Sequence, residues 1–259
     1  MRGETPWRTQ WDCSNLFGSK EEREKSTLRK LGRKLTEKYG PPESRQKVID
    51  QLGDMGTAAA LSTLCLRFTA NTEPSITDAE EKESARRILV EAGQAAIGPL
   101  EAFVHAQESG IAWGLRALSG VTTSARLLEV TLGELAHLGR VYSRDPEKKL
   151  VLLTWLAEHG EGAPPAEVEK ALLPLLEDFS DDVRIGAARG LAARAPGEAT
   201  REGLIQLLLR DRDNARVRGE VLDALAQLGA DVKGYRPSVE ALLVEPFFLD
   251  REGQVKKRG

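Results

Sequence analysis

Few residues in this chain have the types needed for chemistry, and they are scattered. The three histidines are His105, His137 and His159, and the residues after them are Ala106, Leu138 and Gly160. A helical metal site repeats its ligands at one-turn spacing, and the expectation is that none of the three has metal-ligand spacing to another His, Cys or carboxylate on the same turn. The two cysteines, Cys13 and Cys65, fall in an irregular arm and an apolar segment, which gives no disulfide framework. Cys65 reads as a small core residue. The densest carboxylate run is Glu177-Asp178-Phe179-Ser180-Asp181-Asp182. It lacks the alternating order and the twelfth-position Glu of a calcium loop, so it reads as a helix exit followed by a helix N-cap. Nucleophile elbows, phosphate loops and dinucleotide fingerprints are absent. The expectation is a chain with no catalytic residues, no metal and no cofactor.

The elements that would have to position any site are helices. Apolar spacing favours three and four over two, and no stretch alternates as a strand would. Hydrophobic residues make up 41% of the 259 residues but aromatics only 5%, so the core must be Leu, Ala and Val in close-packed helices. Six amphipathic segments end at or near a small residue, at 45–53, 84–93, 111–120, 150–160, 183–194 and 217–229. A second apolar segment follows each after a short turn, at 57–68, 95–107, 123–138, 166–176, 199–209 and 237–244. One such pair cannot bury both its faces, and stacking on the next pair completes the burial. The fifth and sixth units match best: Val183-Arg184 and Val217-Arg218 stand 34 apart, as do Leu191 and Leu225. Asp181 or Asp182 and Asp213 are the expected N-caps.

Three segments carry a family resemblance. They are Asp182-Val183-Arg184-Ile185-Gly186-Ala187-Ala188-Arg189-Gly190-Leu191, Arg216-Val217-Arg218-Gly219-Glu220-Val221-Leu222-Asp223-Ala224-Leu225 and, more loosely, 45–53. Over about 42–244 the chain resembles the HEAT-repeat family, in particular the short HEAT-like repeats also found in phycobilin lyase subunits. The resemblance implies an all-α, right-handed α-α superhelix of about six pairs. It also implies that Asp182, Arg184, Asp213 and Arg218 bridge neighbouring repeats as structural motif residues. One enzyme class of the family, the deoxyhypusine hydroxylases, binds two irons through paired His-Glu dipeptides, and none of the three histidines here precedes Glu.

The solenoid needs ends. Residues 1–18 form an irregular arm, 19–41 a charged capping helix, 42–244 the repeats, and 245–259 a C-terminal cap or basic tail. Ser19 and Glu22 make a capping box, and Leu28, Leu31, Leu35 and Tyr39 form the apolar stripe of the helix it opens. In the arm, Trp7, Trp11 and Phe17 either pack back on the solenoid or anchor a partner. At the other end, Phe247, Phe248, Lys256, Lys257 and Arg258 either belong to a closing hairpin or reach a partner. Net charge is −3, but residues 1–50 carry +4, 251–259 carry +3 and the body between carries −10. An acidic body argues against continuous phosphate tracking. The function expected is a non-catalytic scaffold or adaptor that binds another protein, as a helix or extended segment, on a concave face lined by second helices. The alternative is a protein-modifying subunit resembling phycobilin lyases. No signal peptide or membrane span is readable, so the expected address is the cytoplasm.

Overall fold

The computed structural model describes residues 20–258, so Trp7, Trp11, Cys13, Phe17 and Ser19 lie outside the described residues. Helix occupies 70% of what is described. Helix α1 (Lys20–Leu35) comes first, followed by six pairs. These are α2 (Pro42–Met55) with α3 (Ala58–Cys65), α4 (Ser75–Glu91) with α5 (Gln94–Ala106), and α6 (Ile111–Ser119) with α7 (Ser124–Leu138). Then come α8 (Glu147–His159) with α9 (Pro165–Leu172), α10 (Asp181–Arg194) with α11 (Glu198–Arg210), and α12 (Ala215–Leu228) with α13 (Arg236–Glu240). A hairpin of β1 (Phe247–Leu249) and β2 (Val255–Lys257) closes the chain.

Local chemistry sets these boundaries. Thr57 and Thr123 are N-caps whose hydroxyls accept the N–H of Ala60 and Arg126. Pro42 and Pro165 open α2 and α9, where no N–H is needed. Gly56 and Gly229 end α2 and α12 in the left-handed conformation.

The first helices form one row, α2 to α12, each packed on the next, and α3, α5, α7 and α9 form a second. The fold is thus an all-α solenoid of stacked pairs. Its core is almost entirely Leu, Val, Ile and Ala, among them Leu52, Leu64, Leu100, Leu118, Leu191 and Leu225. Phe68 and Phe103 are exceptions: Phe68 lies edge-on to Phe103 at 5.8 Å and stacked with Trp113 at 6.0 Å. Helix α10 shows why small residues recur. It touches α8, α9 and α12 at once, and a Cβ on Gly186 or Gly190 would meet Leu153 at 2.9 Å or Leu172 at 2.7 Å.

The structure corrects several expectations. Tyr39 is not in the α1 stripe. The helix stops at Leu35, and Tyr39 is 91% exposed. The cause lies one helix on: buried Arg45 draws the carbonyls of Glu37 and Gly40 onto its guanidinium, so this segment turns instead of coiling. Asp213 is not an N-cap. Helix α12 starts one residue later than expected, so the Asn214 amide oxygen accepts Val217 N–H while Asp213 points into solvent. Asp181 and Asp182 lie inside the first turn of α10, after Ser180, where their charge still favours the positive helix end. The second helix of the sixth pair is only five residues long, because the chain turns at 241–246 to enter the hairpin.

That hairpin belongs to the body. Val255 is fully buried, Val232 N–H donates to Gly253 O at 2.9 Å, and β2 packs on α12.

Candidate functional site

Of the repeat-motif residues, Arg184 and Asp182 clamp α10 to the turn before α12 and to α12 itself, while Asp213 and Arg218 bond within their own turn. Arg184 is buried; its Nη1 donates to Asp178 O and its Nη2 to Asp181 Oδ1, both at 2.6 Å. Its Nε stands 2.8 Å from Asp211 Oδ2, in ionic contact but off the line a hydrogen bond needs. Asp182 pairs with Arg216 across α10 and α12. Arg218 donates to Arg212 O at 2.7 Å. Asp213 touches only Arg212, at 3.7 Å in solvent.

The charged residues that the sequence left unremarked are the buried ones. Between α2, α3 and α4 lies a network in which Glu81 Oε2 accepts from Arg45 Nε at 2.8 Å and Arg67 Nε at 2.9 Å. Asp78 Oδ1 accepts from Arg67 Nη2 at 2.6 Å and from the Thr72 N–H, and Asp78 Oδ2 pairs with Lys82 at 2.7 Å. Burial alone would raise the Asp78 carboxyl; the hydrogen bonds from Lys82, Arg67 and Thr72 overcome it and bring the pKa from 3.8 down to about 2. A carboxylate lowered on folding stabilises the fold above its unfolded pKa and loses that effect as pH falls through the folded value. Stability should therefore drop by about 2 kcal/mol between about pH 5 and pH 2 through this group. Urea midpoints across that range should show the drop, and Asp78→Asn should flatten it. An unchanged slope in the variant would show that other carboxylates carry the acid sensitivity.

The histidines and the sulfur add no site. Glu134 is buried between Lys148 Nζ at 2.8 Å and His105 Nδ1 at 2.9 Å, and the His137 ring lies 5.1 Å from that of His105. Glu134 and His137 sit three apart on α7, so a carboxylate does stand one turn from a histidine, against the expectation. Lys148 already neutralises the carboxylate. Among the described residues no group of three or more His, Cys, Asp or Glu could hold a metal ion. In the run at 177–182 the Asp178 side chain turns inward onto Lys149 at 2.6 Å, while Glu177, Phe179 and Asp182 stay exposed. Burial pushes the Cys65 thiol up to about 12, so it stays protonated and inert.

The C-terminal candidates face their own hairpin. Lys257 lies over the Phe247 ring at 5.6 Å and pairs with Asp223 at 2.6 Å. Arg258 lies over Phe248 at 5.5 Å. Lys256 is half-buried near Gly229.

The surface best shaped to receive something is elsewhere. Two contiguous hollows of about 460 and 740 Å³ run from the α6–α7 and α8–α9 turns down between α7 and α9. Leu128 and Leu132 form the floor, and Gly133 lies beside them. Trp155 stands at the upper end with the His159 ring flat against it at 4.1 Å. Neither helix alone would make this groove; it exists because neighbouring pairs place α7 beside α9.

Residues 169–251, from α9 through β1, match the family model described as HEAT repeats. The chain thus carries HEAT repeats over that segment. The match covers the fifth and sixth pairs, whose sequences repeat most clearly, and the same helix-pair stacking continues through the four pairs before them. No curated protein and no solved structure shows significant similarity to the chain. No described helix is long and apolar enough to cross a membrane.

Gly133, like Gly98 and Gly219, is a helical glycine with open space beside it. It is in mid-α7, and an added Cβ would meet nothing within 4 Å. Helical glycine costs about 0.5–1 kcal/mol relative to alanine. Gly133→Ala should therefore raise stability by about that amount in thermal unfolding. A destabilised variant would mean that the position is already filled.

Proposed function

We propose that the protein is a non-catalytic scaffold that holds a partner protein on the face carrying α7 and α9. The observation that carries this reading is the apolar-floored groove between those helices, on a stack of pairs whose buried polar groups serve internal clamps. HEAT repeats generally mediate protein–protein interaction, which supports it. Such a groove suits a helix or an extended segment, whose side chains enter it at regular intervals. No observation favours the lyase-like alternative, which rests on repeat type alone.

Trp7, Trp11 and Phe17, with Phe247, Phe248, Lys256, Lys257 and Arg258, are proposed as secondary contacts. Val255 is buried, so point substitutions such as Lys256→Glu probe the hairpin more cleanly than truncation.

The test is crosslinking mass spectrometry of the full chain in native lysate. Protein crosslinks clustering on the α7 and α9 face support the reading. Crosslinks to nucleic acid alone, or a measured turnover that survives purification, overturn it.

A further inference from the structure

We propose that the α7–α9 groove takes a basic amphipathic segment of a partner, with an aliphatic side chain on Leu128 and Leu132 and lysines or arginines against the rim. The inference rests on the scaffold reading and names the chemistry of its partner.

Charge is the first argument. Glu129, Glu158, Glu161 and Glu167 line the two hollows against a single lysine, Lys170. Glu167 is matched by Lys170 at 3.1 Å and Glu129 by Arg126 at 2.8 Å, each on its own helix. Glu158 has only His159, at 4.0 Å. Glu161 forms no ion pair among the described residues. Among the described residues Glu158 and Glu161 thus have no close Lys or Arg ion pair at the Trp155 end, where Arg194 is turned to the Ala157 and Gly160 carbonyls, and residues 51–250 carry −10. Like charge repels an acidic segment, while a cation gains both the carboxylates and an aromatic neighbour.

Shape is the second argument. Residues 124, 128 and 132 recur every four along α7, with 125, 129 and 133 beside them, and 167 and 170 face them from α9. The floor is thus apolar at Leu128 and Leu132, with Glu129 beside it on α7 and Glu167 facing it from α9. Gly133 leaves room where any larger residue would fill the hollow, and no described residue lies within 4 Å of where its Cβ would stand. A segment with an apolar stripe flanked by cations complements the two leucines and the carboxylates beside and across from them.

The probe is a fluorescein-labelled peptide as long as α7 (15 residues), with leucines at helical spacing and lysines beside them. A counterpart carries glutamate for lysine. Anisotropy titration of the full-length protein should show binding of the lysine peptide that weakens as salt rises, and none of the glutamate peptide.

Glu158→Lys/Glu161→Lys should weaken binding by about tenfold or more. Asp54→Lys/Glu91→Lys, the same charge change on exposed residues of α2 and α4, should leave it within about twofold. Gly133→Leu should abolish binding while the melting temperature is kept or raised, which separates blocking from misfolding. Equal binding of the two peptides overturns the proposal, as do equal losses in the two double variants or an unaffected Gly133→Leu. If it is overturned while native crosslinks still reach a protein, the scaffold reading stands and the partner chemistry is wrong.

Discussion

Arg67→Met should lower stability by about 3–5 kcal/mol, the cost typical of removing one partner from a buried ion pair. Arg67 is fully buried, and its guanidinium serves Glu81, Asp78, Thr72 and the Ala70 carbonyl at once. Methionine fills similar length but leaves two buried carboxylates with Arg45 and Lys82 as their remaining cations. Glu81 begins with a deficit, since its Oε1 has no hydrogen-bond partner. The loss should exceed what a surface pair shows. Arg189→Met, which breaks the exposed pair with Glu220, should change stability by no more than about 1 kcal/mol. Urea denaturation of both variants decides the matter. Equal small effects would mean that water reaches Arg67 and screens its partners.

Gly110→Ala should cost about 2–4 kcal/mol, from two sources that add at one atom. Gly110 has φ +75°, and the added Cβ would lie 2.4 Å from the Phe68 carbonyl oxygen. A backbone atom cannot rotate away as a side chain can. The α5–α6 turn would have to lift from the 310 turn Leu66–Thr69, loosening Phe68 from Trp113. Gly56→Ala isolates the first source: its φ is +58° and the nearest atom is 3.8 Å away, so about 1 kcal/mol is expected. If the two variants melt together, the close approach at Gly110 carries no energy.

The helix pairs were legible because their signals are local. Gly, Pro and Thr punctuate the chain within a few residues of each helix end, and a stripe of leucines declares its period within three turns. The repeat itself was plainest at Val183-Arg184 and Val217-Arg218, within the segment that matches the family model. Caps were read less accurately. Asp213 and Asn214 are both good cap residues, and only the packing of α12 on α10, with Asn214 donating to Asp181 at 2.7 Å, chooses between them.

Buried charge was not legible. Arg45, Arg67, Glu81 and Lys148 look like surface residues in a chain that is 30% charged, and their ion-pair partners stand 11 to 36 residues away. The groove was illegible for the same reason, since its two walls come from different pairs. Gly133 was the one readable trace, a glycine inside an otherwise sound helical stripe, and it gained meaning only once α9 lay beside it.

The two rows of helices also govern how the molecule can be assembled during synthesis. Each helix touches mainly its sequence neighbours, so a pair emerging first needs only the next pair, about 27 to 40 residues on, to cover its apolar side. Nothing at the front waits for the far end of the chain. The last pair differs. Its short second helix leaves α12 partly open until Val255 and β2 arrive, so the final stretch of chain acts as the latch that finishes a structure otherwise built in the order it is made.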